Sequence, residues 1–228
     1  MRLRTLVGGT TGFTTNILGP LMRVVATMLI AATLASPAQA EEKKPFVTLQ
    51  VAQPTVAAGK IEVIEFFWYG CPTCNQLEPF VDDWEKTLPA DVAFRREPVV
   101  WDTRASTALH AKIFLTLRAM NLLREHHQVV FKVIHWAHLE FREDTEVFDW
   151  AERRGIDRAK FEAVFKSPAI ATELAKRKQM THDYPVTNVP TFVVNGKYAT
   201  SPFQAGGAPQ MLRLVDQLIA QERAAARK

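Results

Sequence analysis

The chain has 228 residues, 47% of them hydrophobic and 23% charged, and a formal net charge of +4. That balance excludes a disordered or low-complexity protein and suits a globular chain with one good core, or one core plus an inserted lobe. It does not point to nucleic acid, because residues 1–40 hold three of the basic residues and none of the acidic ones, leaving 25 Lys and Arg against 24 Asp and Glu.

Arg2, Arg4 and Arg23 are the only formal charges of the first forty residues, Val24 to Leu34 is apolar, and Ala38-Gln39-Ala40 is a small-residue cleavage site before Glu41. The pattern predicts a signal peptide over residues 1–40, with Met1 or Met22 as the start. The apolar run is shorter than the roughly 20 residues that a membrane-spanning helix needs. Export to an oxidising compartment follows.

From Glu41 to Lys60 the chain is polar, with one strand-like piece at Phe46 to Leu49, and is expected to lie along a sheet edge. Ile61 to Tyr69 is almost continuously apolar and aromatic, interrupted only by Glu62 and Glu65, the pattern of a central strand covered on both faces. Pro72 suits the first turn of a helix, and Leu77, Phe80, Val81, Trp84 and Leu88 follow at helical spacing, with Pro79 expected to kink that helix.

The strand-to-helix junction carries the only two cysteines, in Cys71-Pro72-Thr73-Cys74. At random two cysteines fall at this separation about once in a hundred placements. A disulfide across so short a loop adds little stability, so a structural staple is disfavoured. Cys71, at a helix N-terminus, gains a stabilised thiolate and is the nucleophile candidate; Cys74, one turn on, is placed to resolve a mixed disulfide. Zinc is disfavoured, since no second C-x-x-C exists and His110, His126, His127, His135, His138 and His182 show no finger spacing.

Val92 to Val100 reads as a second strand. Residues 103–182 turn helical, with stripes at Leu109, Ile113, Leu117 and Met120 and at Val129, Val130, Val133, Ile134 and Ala137. Gly155 then Asp157 marks a helix stop and a new N-cap before Phe161, Val164 and Phe165. No chemistry is assigned to this stretch, which reads as an insertion. Thr191–Val194 and Lys197–Thr200 flank Asn195-Gly196, the signature of a type I′ hairpin. Beyond the Gly206-Gly207 loop, Pro209 opens a last helix with Leu212, Val215, Leu218 and Ile219 on one face.

Glu65-Phe66-Phe67-Trp68-Tyr69-Gly70-Cys71-Pro72-Thr73-Cys74, together with Val189-Pro190-Thr191-Phe192-Val193-Val194-Asn195-Gly196-Lys197-Tyr198, resembles the thiol:disulfide oxidoreductases of the DsbA family. The resemblance spans essentially the whole mature chain. It implies an α/β thioredoxin fold in two parts, residues 41–102 and 183–228, with a helical domain at 103–182 inserted between them. It implies that Cys71 is the exposed nucleophile, Cys74 its buried partner, and Pro190 a cis-proline preceded by Val189, the two forming the substrate-binding loop. Pro72 and Thr73, between the cysteines, and Glu65 and Glu78, at acidic family positions, make up the redox-modulating set. Thr73 departs from the best-known pattern, which has His there, and predicts a higher Cys71 pKa and a milder oxidant.

The activity implied is introduction of disulfides into exported proteins with free cysteines, in the periplasm, by a monomer with no bound cofactor and no metal. Reoxidation falls to a DsbB-like membrane quinone oxidoreductase. A periplasmic reductase or isomerase, and a chaperone-like binding module with redox-inert cysteines, are the alternatives.

Overall fold

The computed structural model describes residues 44–184 and 186–227; the expected signal peptide lies outside the described residues. Strand β2 (Ile61–Phe67) is buried along its whole length. One face of it packs Ile61 and Val63 against helix α1 (Pro72–Glu85) and the C-terminal helix α8 (Ala208–Ala225). The other face packs Ile64 and Phe66 against Tyr184 and Val186. With Val63, Ile64, Phe66 and Phe67 at most 1% exposed, each side chain contributes about 1.5–3 kcal/mol of burial. Strand β2 is therefore the scaffold on which the site is mounted.

Strand β3 (Val92–Pro98) runs parallel to β2, from Ile61 opposite Val92 to Phe67 opposite Pro98, with α1 as the crossover. Strand β4 (Thr191–Val194) pairs antiparallel on the other side, Val63 opposite Val194 and Phe66 opposite Thr191. Strand β5 (Tyr198–Thr200) returns through Asn195 (φ 50°) and Gly196 (φ 65°), both left-handed as a type I′ turn requires. The leader supplies β1 (Val47–Thr48), antiparallel to β5, so the sheet order is β1-β5-β4-β2-β3.

Five helices separate β3 from β4: α2 (Ala105–Ala119), α3 (Leu123–His135), α4 (Asp144–Arg153), α5 (Arg158–Phe165) and α6 (Pro168–Asp183). Gly155 (φ 77°) does end one helix, and the Asp157 carboxylate caps the next by accepting from Lys160 N at 3.0 Å. Their core, with Ile113, Leu117, Val130, Phe131 and Phe161, also takes in Phe67, Tyr69, Cys71 and Cys74. The helical lobe thus packs directly on the dithiol.

Three expectations need correction. Phe80 is 50% exposed, because Leu77, Val81 and Trp84 already fill the face of α1 turned to the core; Leu88 lies beyond the end of that helix. Ala137 lies beyond α3 and is exposed. The stretch before Gly206 forms a short helix, α7 (Pro202–Ala205), capped by the Ser201 hydroxyl and closed by Gly206 at φ 83°.

Candidate active site

Beyond β2 the chain turns through Trp68, Tyr69 and Gly70, closed by Cys71 N donating to Trp68 O at 2.9 Å. A β-carbon on Gly70 would lie 2.2 Å from the Trp68 ring, so only glycine lets the turn fold this tightly against the indole. Cys71 is the N-cap of α1, extended at φ −88° and ψ 117°, with Pro72 in the first turn. Its sulfur accepts from Cys74 N at 3.4 Å and lies 3.4 Å from Val189 O, to which it donates only while protonated. The Val189–Pro190 peptide bond is cis.

The two sulfurs differ in environment. Cys71 retains 8% exposure and Cys74 none. Hydrogen bonding from the Cys74 side chain, opposed by burial and helped by the backbone N–H groups of Cys74 and Thr73 and by the Thr73 hydroxyl, lowers the Cys71 pKa to about 6. Burial, reinforced by the Cys71 side chain and charge, raises Cys74 well above a normal thiol. One sulfur is a thiolate at neutral pH and its neighbour a thiol.

Beneath the dithiol is a charge cluster centred on Arg96 of β3, buried at Glu65 and Glu78 and open to solvent at Glu85. Its guanidinium contacts Glu78 (2.8 Å), Asp82 (2.7 Å) and Glu85 (2.6 Å), with Glu65 at 3.5 Å. Neither Glu65 oxygen has a hydrogen-bond partner. Burial first, and the Glu78 charge second, push the Glu65 carboxyl well up, and only its ionised form raises Cys74 further. Glu78 shifts the other way: burial opposes its ionisation, but the His127 imidazole, 3.3 Å from Oε1, and Arg96 outweigh it. His127 Nδ1 is also 2.7 Å from the Tyr69 hydroxyl, and His135 Nε2 is 2.8 Å from Tyr69 O.

Next to the dithiol lies a groove of about 630 Å³ bounded by Thr73, Val189, Pro190, Tyr184 and Phe203, with no charged side chain in its wall. Among the described residues no three His, Cys, Asp or Glu side chains are grouped to hold a metal ion.

Residues 62–218 match the model of the DSBA-like thioredoxin domain. The chain belongs to the DsbA family. It is 39% identical over 212 residues to the thiol:disulfide interchange protein DsbA of Pseudomonas aeruginosa, covering 90% of this chain and 98% of the relative. The DsbA of Bordetella parapertussis is 37% identical over 88% of this chain and 95% of its own length. The crystal structure of P. aeruginosa DsbA superposes with a TM-score of 0.78 at 42% identity, covering 81% of this chain and 95% of that one. The fold is accordingly the thioredoxin-like DsbA fold with its helical insertion.

Of the residues singled out in the sequence, Cys71, Thr73, Val189 and Pro190 meet at the mouth of the site, Pro72 is exposed beside them, Cys74 is buried behind Cys71, and Glu65 and Glu78 meet one layer below through Arg96. Sequence reasoning missed Arg96, Tyr69, His127 and His135. His127 left a trace, standing four residues before Phe131 and seven before Ile134, on the buried stripe of α3. Arg96 left none beyond an arginine inside a strand.

Proposed function

We propose that Cys71 and Cys74 are the redox pair with which this DsbA-family thiol:disulfide oxidoreductase introduces disulfides into exported proteins. The observation that carries the reading is the asymmetry of the pair, a capped thiolate at Cys71 beside a fully buried thiol at Cys74. In the oxidised protein a client thiolate attacks Cys71 Sγ; the client–Cys71 bond forms, the Cys71–Cys74 bond breaks, and Cys74 leaves with the electron pair. Glu65, held protonated beneath it, is the proton donor to that sulfur. A second client thiolate then attacks the client sulfur of the mixed disulfide and Cys71 leaves as the thiolate that the helix terminus favours. The client loses two electrons and the protein keeps them as a dithiol.

Val189 O and the uncharged groove beside Pro190 receive the client chain. Residues 1–40 direct export to the periplasm, residues 103–182 form an insertion between 41–102 and 183–228, and the protein works as a monomer. A DsbB-like membrane quinone oxidoreductase removes the electrons. Oxidised protein is expected to speed disulfide formation in a reduced, unfolded substrate, and Cys71→Ser to abolish the effect; no acceleration, or full activity in Cys71→Ser, contradicts the reading.

A further inference from the structure

A second cavity, of about 770 Å³, opens beside Cys71 and is walled by the helical lobe instead of the Val189–Pro190 loop. Gly70 and Pro72, the two chain neighbours of Cys71, lie in its wall with Trp68, Arg104, His110 and Arg142, and it shares no lining residue with the uncharged groove. A client held as a mixed disulfide on Cys71 has chain leaving its cysteine in two directions. The uncharged groove accounts for one of them.

The wall chemistry indicates what the other direction carries. Arg142 is neutralised by Glu140 at 2.8 Å, whereas Arg104 has no carboxylate partner among the described residues and lies 4.8 Å over the Trp68 ring. Below it the Trp68 Nε1–H is buried without an acceptor. His110, 3% exposed and stacked on Trp68 at 5.8 Å, gives its Nε2–H to Glu140 O at 2.9 Å, which leaves Nδ1 a buried acceptor without a donor. Both atoms are sealed beneath the wall, so the group that the wall presents to a ligand is the exposed Arg104 guanidinium. A client carboxylate complements the unpaired Arg104.

We propose that this cavity is a client subsite for an acidic residue within about three positions of the reacting cysteine, a reach of roughly 10 Å of extended chain. The inference rests on the function proposed above, because only the mixed disulfide brings that stretch of client to the wall. Arg104 sets the charge preference, and Trp68, stacked on His110, supports its guanidinium at the wall.

The test uses the full oxidised chain and synthetic single-cysteine peptides with Glu, Gln or Lys two residues from the cysteine. Rates are corrected for each peptide's thiolate fraction with a small-molecule disulfide. The Glu peptide is expected to react about fivefold faster than the Lys peptide at low salt, with the gap closing as ionic strength rises. Arg104→Gln should flatten the ranking and Arg104→Glu reverse it. A wild-type ranking that is flat, or one that survives both substitutions, overturns the subsite. Failure of the oxidised wild type to oxidise dithiothreitol, which carries no charge, would instead overturn the redox reading beneath it.

Discussion

Replacing Cys74 by alanine tests the electrostatics of the site most finely. The side chain of Cys74 is the largest single influence lowering the Cys71 pKa, ahead of the backbone N–H groups at the helix start. A hydrogen bond to a charged group is worth about 1.5–3 kcal/mol, and each pKa unit corresponds to about 1.4 kcal/mol. Losing it should therefore move Cys71 from about 6 to roughly 7–8. At pH 7 the thiolate share would fall from about nine-tenths to about half or less. Cys71 is the only thiol left in Cys74→Ala, so the rate of iodoacetamide alkylation against pH gives its midpoint without overlap. A midpoint at or below 6 would refute the reasoning and place the whole effect in the helix terminus and Thr73.

Glu65→Gln should stabilise the reduced protein at neutral pH. A carboxyl with a raised folded pKa binds its proton in the folded state while the unfolded chain releases it, so stability is intact below about pH 4.5 and declines by about 1.4 kcal/mol per pH unit up to the folded pKa. Urea midpoints should coincide near pH 4 and favour the variant at pH 7; equal midpoints at both pH values would contradict a buried, protonated Glu65. Arg96→Met removes the guanidinium shared by Glu65, Glu78, Asp82 and Glu85, and should cost about 3–5 kcal/mol at pH 8 and less at pH 4, read from the same unfolding curves. Gly196→Ala forces a side chain onto a left-handed residue whose added β-carbon would lie 2.1 Å from Gln53 O. It should cost at least about 2 kcal/mol by loosening the leader from the β4–β5 hairpin.

The fold was legible where local chemistry and tertiary need agree. The largely apolar run of β2, broken only by Glu62 and Glu65, the Asn195-Gly196 turn and the Gly155/Asp157 helix boundary each follow from a rule that neighbouring residues satisfy among themselves. The spacing of the cysteines and Pro72 placed the dithiol on a helix start, and the helix does begin there. What stayed hidden depends on partners distant in the chain. Glu65 and Glu78 could be suspected singly, but only the parallel pairing of β2 with β3 brings Arg96 between them. Likewise His127 meets Tyr69 fifty-eight residues away because α3 packs on α1, and nothing in the flanking sequence states that contact. Phe80 misled for the converse reason: helical spacing marks a face, and the width of the neighbouring α8 and sheet decides how much of it is covered.

A thiolate stabilised at Cys71 favours the dithiol over the disulfide and so makes the oxidised protein a donor of disulfides. Equilibrating the protein with glutathione buffers and quantifying Cys71–Cys74 oxidation measures this directly. The reduction potential is expected to lie well above the roughly −270 mV of thioredoxin and short of the roughly −120 mV of DsbA, a reference value that comes from this chain's own family, because Thr73 offers a hydroxyl where an imidazole would do more. A potential at or below about −270 mV would contradict this and make the protein a reductase.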